Sequence, residues 1–252
     1  MDERELERIA ELVVAKLTKP DTPSADLQPP IATRLASVID HTLLKPEAKR
    51  SDIETLCAQA RQHRFAAVCV DGSWVELCAD LLEGTGVKVA TVAGFPTGAT
   101  TSSAKATQAA ELASLGAEEI DMVAPIGRIL DGDWDYVEAD IAAVVAAAAG
   151  RTVKVILETA ILSPTQIVQA SAIAMEAGAH FVKTSTGFHP AGGATEDAVA
   201  LMRAAVGNKL GVKASGGIAD AECALRMIAA GATRIGTSRG VELVVGEVAH
   251  SS

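Results

Sequence analysis

The sequence predicts an α/β fold, a single (β/α)8 TIM barrel preceded by a helical extension, on three observations. The chain has 252 residues, and one such barrel takes about 250. Apolar residues make up 49% of it but aromatic ones only 3%, so Ala, Val, Ile and Leu must fill the core, as is usual between a parallel sheet and its helices. From Ile31 onward, short β-branched apolar runs alternate with Ala-rich stretches of helical character. Right-handed βαβ crossovers then give a parallel sheet, and eight repeats close it.

Residues 1–30 stand apart from this pattern. Leu6, Ile9, Leu12, Val13 and Leu17 recur at helical spacing among charged residues, describing an amphipathic helix that packs on the barrel or a neighbouring subunit. Lys19 to Pro30 holds four prolines and reads as a linker. In residues 31–252 the expected strands are Ser37–His41, Ala66–Asp71, Lys88–Gly94, Glu119–Ala124, Val153–Thr159, Phe181–Thr186, Gly211–Ala214 and Arg234–Gly236. Ser163-Pro164 is a cap residue followed by Pro at the first helical position, and Ala142–Ala149 is rich in the best helix former. Gly116-Ala117, Gly178-Ala179 and Gly231-Ala232 fit C-terminal glycine caps leading into the next strand. An open doubly wound sheet binding a dinucleotide would want GxGxxG after its first strand, and that motif is missing there.

A formal net charge of -10 disfavours a nucleic-acid partner, which needs clustered Lys and Arg. Cys57, Cys69, Cys78 and Cys223 form neither a CxxC pair nor zinc-site spacing and read as reduced structural residues. There is no apolar run long enough for a membrane span, and the N-terminus is too acidic for a signal peptide, so a cytoplasmic location is expected.

Active sites of such barrels lie at the C-terminal ends of the strands, and side chains alternate in and out along each strand. Lys183 and Ser185 therefore share a face, as do Lys213 and Ser215; Asp121 lies opposite Ile120 and Met122, and Asp40 lies between Ile39 and His41. Burying an ammonium costs several kcal/mol unless it is paired or loses its proton. Each lysine could simply be satisfied by Asp121 or Asp40. Two on nearby strands, beside Ser, Thr and Gly at strand ends, favour catalysis. A desolvated lysine near a second cation becomes a nucleophile, and Lys213 can be that cation for Lys183. Lys154 shares parity with Glu158 on strand five; it either pairs with Asp121 inside the barrel or faces outward. Gly216-Gly217 and the Gly236–Gly240 segment follow strands seven and eight, a frequent place for bound phosphate. His41, His63 and His180 read as structural, and the Thr97–Ser103 loop as a mobile cap.

Four segments in order, Ile39-Asp-His-Thr-Leu-Leu-Lys-Pro, Glu119-Ile-Asp-Met-Val, Phe181-Val-Lys-Thr-Ser-Thr-Gly and Gly211-Val-Lys-Ala-Ser-Gly-Gly-Ile, resemble the deoxyribose-phosphate aldolase family. The resemblance runs from about Ile39 to Val241. It implies reversible cleavage of 2-deoxy-D-ribose 5-phosphate to D-glyceraldehyde 3-phosphate and acetaldehyde, with no metal and no organic cofactor. It also implies that Lys183 forms the Schiff base, that Lys213 tunes it and that Asp121 moves protons. Asp40, Thr42, Lys154 and Ser185 are then candidates for substrate contacts. Gly187, Gly216, Gly217, Gly236 and Ser238 are candidates for holding the phosphate. Position 188 is Phe188 where some members carry lysine, which shifts weight to backbone groups and Arg239. Phosphosugar and aldehyde substrates are the expected partners, in a homo-oligomer, first of all a dimer. Competing readings are another Schiff-base aldolase for a different sugar, a phosphosugar isomerase using a carboxylate base, and a non-catalytic phosphosugar binder.

Overall fold

The β-branched runs become eight parallel strands, each hydrogen-bonded to its neighbours in chain order, with the first pairing to the last to close a barrel. This is seen in a computed structural model that describes residues 35–245. The expected N-terminal helix, its linker and the boundary after residue 30 lie outside the described residues. The strands are β1 (Ile39–Leu43), β2 (Ala67–Val70), β3 (Lys88–Ala93), β4 (Glu119–Val123), β5 (Thr152–Ile156), β6 (Phe181–Lys183), β7 (Gly211–Ser215) and β8 (Arg234–Thr237). Between and after them run α1 (Arg50–His63), α2 (Val75–Leu82), α3 (Ser102–Ser114), a short α4 (Ile126–Asp131), α5 (Trp134–Ala147), α6 (Pro164–Glu176), α7 (Glu196–Val206), α8 (Ala221–Ala229) and α9 (Gly240–Val245). None of the helices among the described residues is long and apolar enough to cross a membrane.

The local signals account for the boundaries. Ser163 accepts from the Gln166 N–H at 3.2 Å while the Gln166 side chain accepts from the Ser163 N–H at 3.0 Å, so α6 opens on a reciprocal capping box. Asp220 caps α8 through the Cys223 N–H at 2.8 Å. Gly231 has φ 115°, a conformation strained for any side chain, and leads the chain from α8 toward β8. One boundary differs from expectation: β1 begins two residues late, because the Val38 N–H turns back to the Leu35 carbonyl at 3.0 Å.

Strand alternation then separates two environments. Outward residues such as Ile39, Val68, Ile120, Met122, Val155, Val182, Val212 and Ile235 pack with the helices into one large apolar layer. Inward residues of β2 and β3, namely Ala67, Cys69, Ala90 and Val92, form a small separate apolar cluster with Leu44. The inward residues of β4 to β8 and of β1 include the charged Asp40, Glu119, Asp121, Lys154, Lys183, Lys213 and Arg234, which form the floor of the site.

Candidate active site

Asp121 stands at the centre. One of its oxygens, Oδ2, accepts from Lys183 Nζ at 2.7 Å and from Lys213 Nζ at 2.7 Å, and the other, Oδ1, accepts from Lys154 Nζ at 2.6 Å. Register explains the convergence: Asp121 lies beside Lys154 across β4 and β5, and Lys183 beside Lys213 across β6 and β7. Beneath this layer, Asp40 accepts from Lys213 through Oδ2 and from Arg234 at 2.6 Å through Oδ1. Glu119 accepts from Arg234 at 3.0 and 3.2 Å and lies 2.7 Å from Lys154. Arg234 also lies over the Phe181 ring, which reaches into the space left by Gly211; a Cβ there would sit 2.0 Å from the ring.

The network thus sets four cations (Lys154, Lys183, Lys213, Arg234) against three carboxylates (Asp40, Glu119, Asp121). If every group is charged, one positive charge lacks a full counterpart, so the cheapest relief is loss of a proton from the least paired amine. Lys183 is that amine, touching a single carboxylate oxygen that it shares with Lys213. Burial is the largest influence lowering its pKa, Asp121 opposes, and the positive charge of Lys213 lowers it further. Burial also disfavours the charged forms of Lys213 and Lys154, but Asp121 and Asp40 outweigh it and hold both above the ordinary lysine value. For Asp121, burial pushes upward, yet Lys154, Lys183 and Lys213 together hold its carboxyl well below the usual carboxylate range. For Lys183, then, desolvation is a larger cause of the lowering than the charge of Lys213.

Above the network opens a cleft of about 450 Å³ at the C-terminal end of the barrel. Lys183 is the one member of the network that reaches its wall, along with Thr42, Lys45, Thr186, Gly187, Phe188, Ser215, Gly216, Gly217, Gly236, Ser238 and Arg239. Phe188 is half exposed and meets Phe95 edge to face at 5.2 Å, making an apolar rim. Of the residues anticipated as substrate contacts, Thr42, Gly187, Gly216, Gly217, Gly236 and Ser238 line this cleft.

Three candidates do not. Asp40 is fully buried with both oxygens engaged by Lys213 and Arg234, so it supports the floor instead of meeting substrate hydroxyls. Its in-facing neighbour two residues on, Thr42, takes the cleft position, because each inward step along a strand climbs one layer. Lys154 faces inward, pairing with Asp121, but is fully buried below the cleft. Ser185 is also fully buried, and its hydroxyl has no hydrogen-bond partner among the described residues. The Thr97–Ser103 loop is not a free cap: a Cβ on Gly98 would lie 2.1 Å from the Ala124 carbonyl oxygen, and Ser102 and Ser103 already belong to α3. His41 bonds Gln59 at 2.8 Å, His63 stacks on Phe65, and His180 accepts from the Val153 N–H at 3.1 Å, all away from the cleft. All four cysteines are free thiols.

Sequence reasoning missed Glu119, Arg234 and Lys45 as members of the floor and wall. Parity could have found the first two, since Glu119 shares the face of Asp121 and Arg234 that of Gly236.

A model of the DeoC/LacD family of aldolases matches residues 34–244. The deoxyribose-phosphate aldolase of Bdellovibrio bacteriovorus is 54% identical over 213 residues, covering 84% of this chain and 96% of that protein. Its counterpart in a Geobacillus species is 52% identical over 219 residues, covering 86% and 98%. The solved tetrameric deoxyribose phosphate aldolase of Aeropyrum pernix superposes with a TM-score of 0.80 at 29% identity, covering 99% of this chain and all of that one.

Proposed function

This chain belongs to the DeoC/LacD family of aldolases, and from that membership we propose how its residues divide the work. It is a deoxyribose-phosphate aldolase, a class I aldolase that cleaves 2-deoxy-D-ribose 5-phosphate to D-glyceraldehyde 3-phosphate and acetaldehyde through a lysine Schiff base. Lys183 is the amine. The observation that carries this reading is its position as the least paired cation of the network and the one at the cleft wall.

The neutral Lys183 amine adds to the aldehyde carbon of the open-chain sugar, and loss of water leaves an iminium. Asp121, through a water, takes the proton of the C3 hydroxyl, the C2–C3 bond breaks to release D-glyceraldehyde 3-phosphate, and the electron pair of that bond passes into the enamine on Lys183. Protonation of the enamine and hydrolysis release acetaldehyde and restore the amine. Asp121 Oδ2 accepts from Lys183 and from Lys213, each at 2.7 Å, so a proton leaving Lys183 has an acceptor within reach and Lys213 stands on the same oxygen. In the resting protein Lys213 and Lys154 are charged and keep Asp121 ionised, ready to accept. The glycine-lined end, with Ser238 and Arg239, takes the phosphate, and Thr42 takes a sugar hydroxyl. An isomerase working through a carboxylate base has no use for an amine at the substrate, whereas here Lys183 is the member of the charged network that reaches the cleft wall.

Borohydride reduction in the presence of acetaldehyde tests the assignment. The peptide holding Lys183 should gain one ethyl group, and an adduct on any other lysine would overturn the reading. Assembly as a homo-oligomer, a dimer first of all, is part of the same proposal, and light scattering measures the subunit number.

A further inference from the structure

We propose that Glu158 is a positioning residue for phosphate binding, holding the Thr186–Phe188 turn that forms one wall of the cleft. The inference rests on the reading that the glycine-lined end of the cleft takes the phosphate.

Glu158 lies just past β5, and the sequence pattern places it on the face of Lys154. The structure departs from that alternation. Glu158 adopts φ 55° and ψ 57°, a left-handed conformation that a bulky residue rarely takes. The other non-glycine residues with positive φ among those described, Arg64 and Ala149, are exposed turns at helix ends. Glu158 is instead only 1% exposed. A buried carboxylate in a strained backbone at the catalytic end of a barrel calls for a reason beyond chain reversal.

Its contacts supply one. The carboxylate accepts from the Thr186 hydroxyl at 2.6 Å and from the Thr186 N–H at 3.3 and 3.4 Å, and among the described residues it meets no cation. The same Thr186 hydroxyl oxygen accepts from the Phe188 N–H at 3.1 Å. One carboxylate therefore orients a hydroxyl and two backbone segments on either side of Gly187. That turn has little freedom on its far side, where a Cβ on Gly216 would lie 3.3 Å from the Gly187 Cα and 3.0 Å from the Gly193 Cα. Thr186, Gly187, Phe188 and Gly216 all line the cleft. Glu158 sets where that wall stands without itself reaching the substrate.

Glu158→Gln keeps the volume but sets an amide donor against two donors of Thr186, so one of them loses its acceptor. The KM for 2-deoxyribose 5-phosphate should rise about tenfold or more while kcat stays within about twofold, the signature of lost uniform binding. The KM for unphosphorylated 2-deoxyribose and the rate of borohydride trapping with acetaldehyde should not change. Thr186→Val should raise the same KM and Thr186→Ser should not. The double variant should be no worse than Thr186→Val alone, because both changes break one contact. Should Glu158→Gln fail to fold, Glu158→Gly removes the carboxylate while easing the positive φ, and it should show the same rise. A wild-type enzyme that binds both sugars equally overturns the phosphate reading and the role of Glu158 with it. If the wild type distinguishes them and the variants distinguish them as strongly, or if the double variant's losses add, the role of Glu158 alone is overturned.

Discussion

The inside of this barrel has two halves that solve the problem of burial in opposite ways. Toward β2 and β3 the inward positions are Ala67, Cys69, Ala90 and Val92, which need only neighbours of suitable volume. Toward β4 to β8 and β1 they include Asp40, Glu119, Asp121, Lys154, Lys183, Lys213 and Arg234, each of which needs a partner of opposite charge. In the first half a substitution costs packing. In the second it leaves an unpaired charge in low dielectric, and its consequences spread through every group that shared the partner. On the proposed reading the difference is what makes Lys183 reactive: it is the cation of the charged half with the least of a shared carboxylate.

The largest test of that contrast removes the amine itself. Lys183→Ala should lower cleavage by at least about ten-thousandfold and abolish trapping with acetaldehyde, with the fold retained by circular dichroism. Substantial turnover would break the comparison at its main point. Asp121→Asn comes next, because it leaves Lys154, Lys183 and Lys213 without their common partner. Denaturant unfolding should show a loss of about 3–5 kcal/mol, accompanied by loss of turnover.

Lys213→Met sharpens the comparison through pH. In the wild type the Lys213 charge lowers the pKa of Lys183 and also competes for Asp121. Removing it raises the Lys183 pKa on both counts, so the amine becomes neutral only at higher pH. The acidic limb of kcat/KM should move to higher pH by about one unit or more, with turnover at neutral pH down about a hundredfold. A limb that stays in place, or moves to lower pH, would contradict the charge argument. In the apolar half, Val92→Ala should cost about 1–3 kcal/mol of stability from lost burial and a small cavity, with kcat per folded molecule unchanged. A pH shift in that variant would mean that the halves are not independent.

Much of the contrast was legible in advance, though not its depth. The alternation of apolar runs with Ala-rich stretches located all eight strands, and Ser163-Pro164 and the Gly-Ala pairs located helix ends, since these are local preferences of a few residues. Parity put Lys183, Lys213 and Asp121 on inward faces. Asp40 and Lys154 were read one step too close to the substrate, and Glu119 and Arg234 were passed over, because no single strand reveals which layer it contributes to.

What the sequence by itself determined is the fold class, the inward faces of β4, β6 and β7 and which lysines are candidates for a Schiff base. Tertiary structure alone decided the order of those groups along the barrel axis. It placed Lys183 at the cleft, Lys213 and Lys154 beneath it on Asp121, Arg234 lower still on Asp40 and Glu119, and Glu158 against Thr186. The physical reason is that in-and-out alternation has a period of two within a strand, whereas height depends on the stagger between strands, which closure of the whole barrel sets.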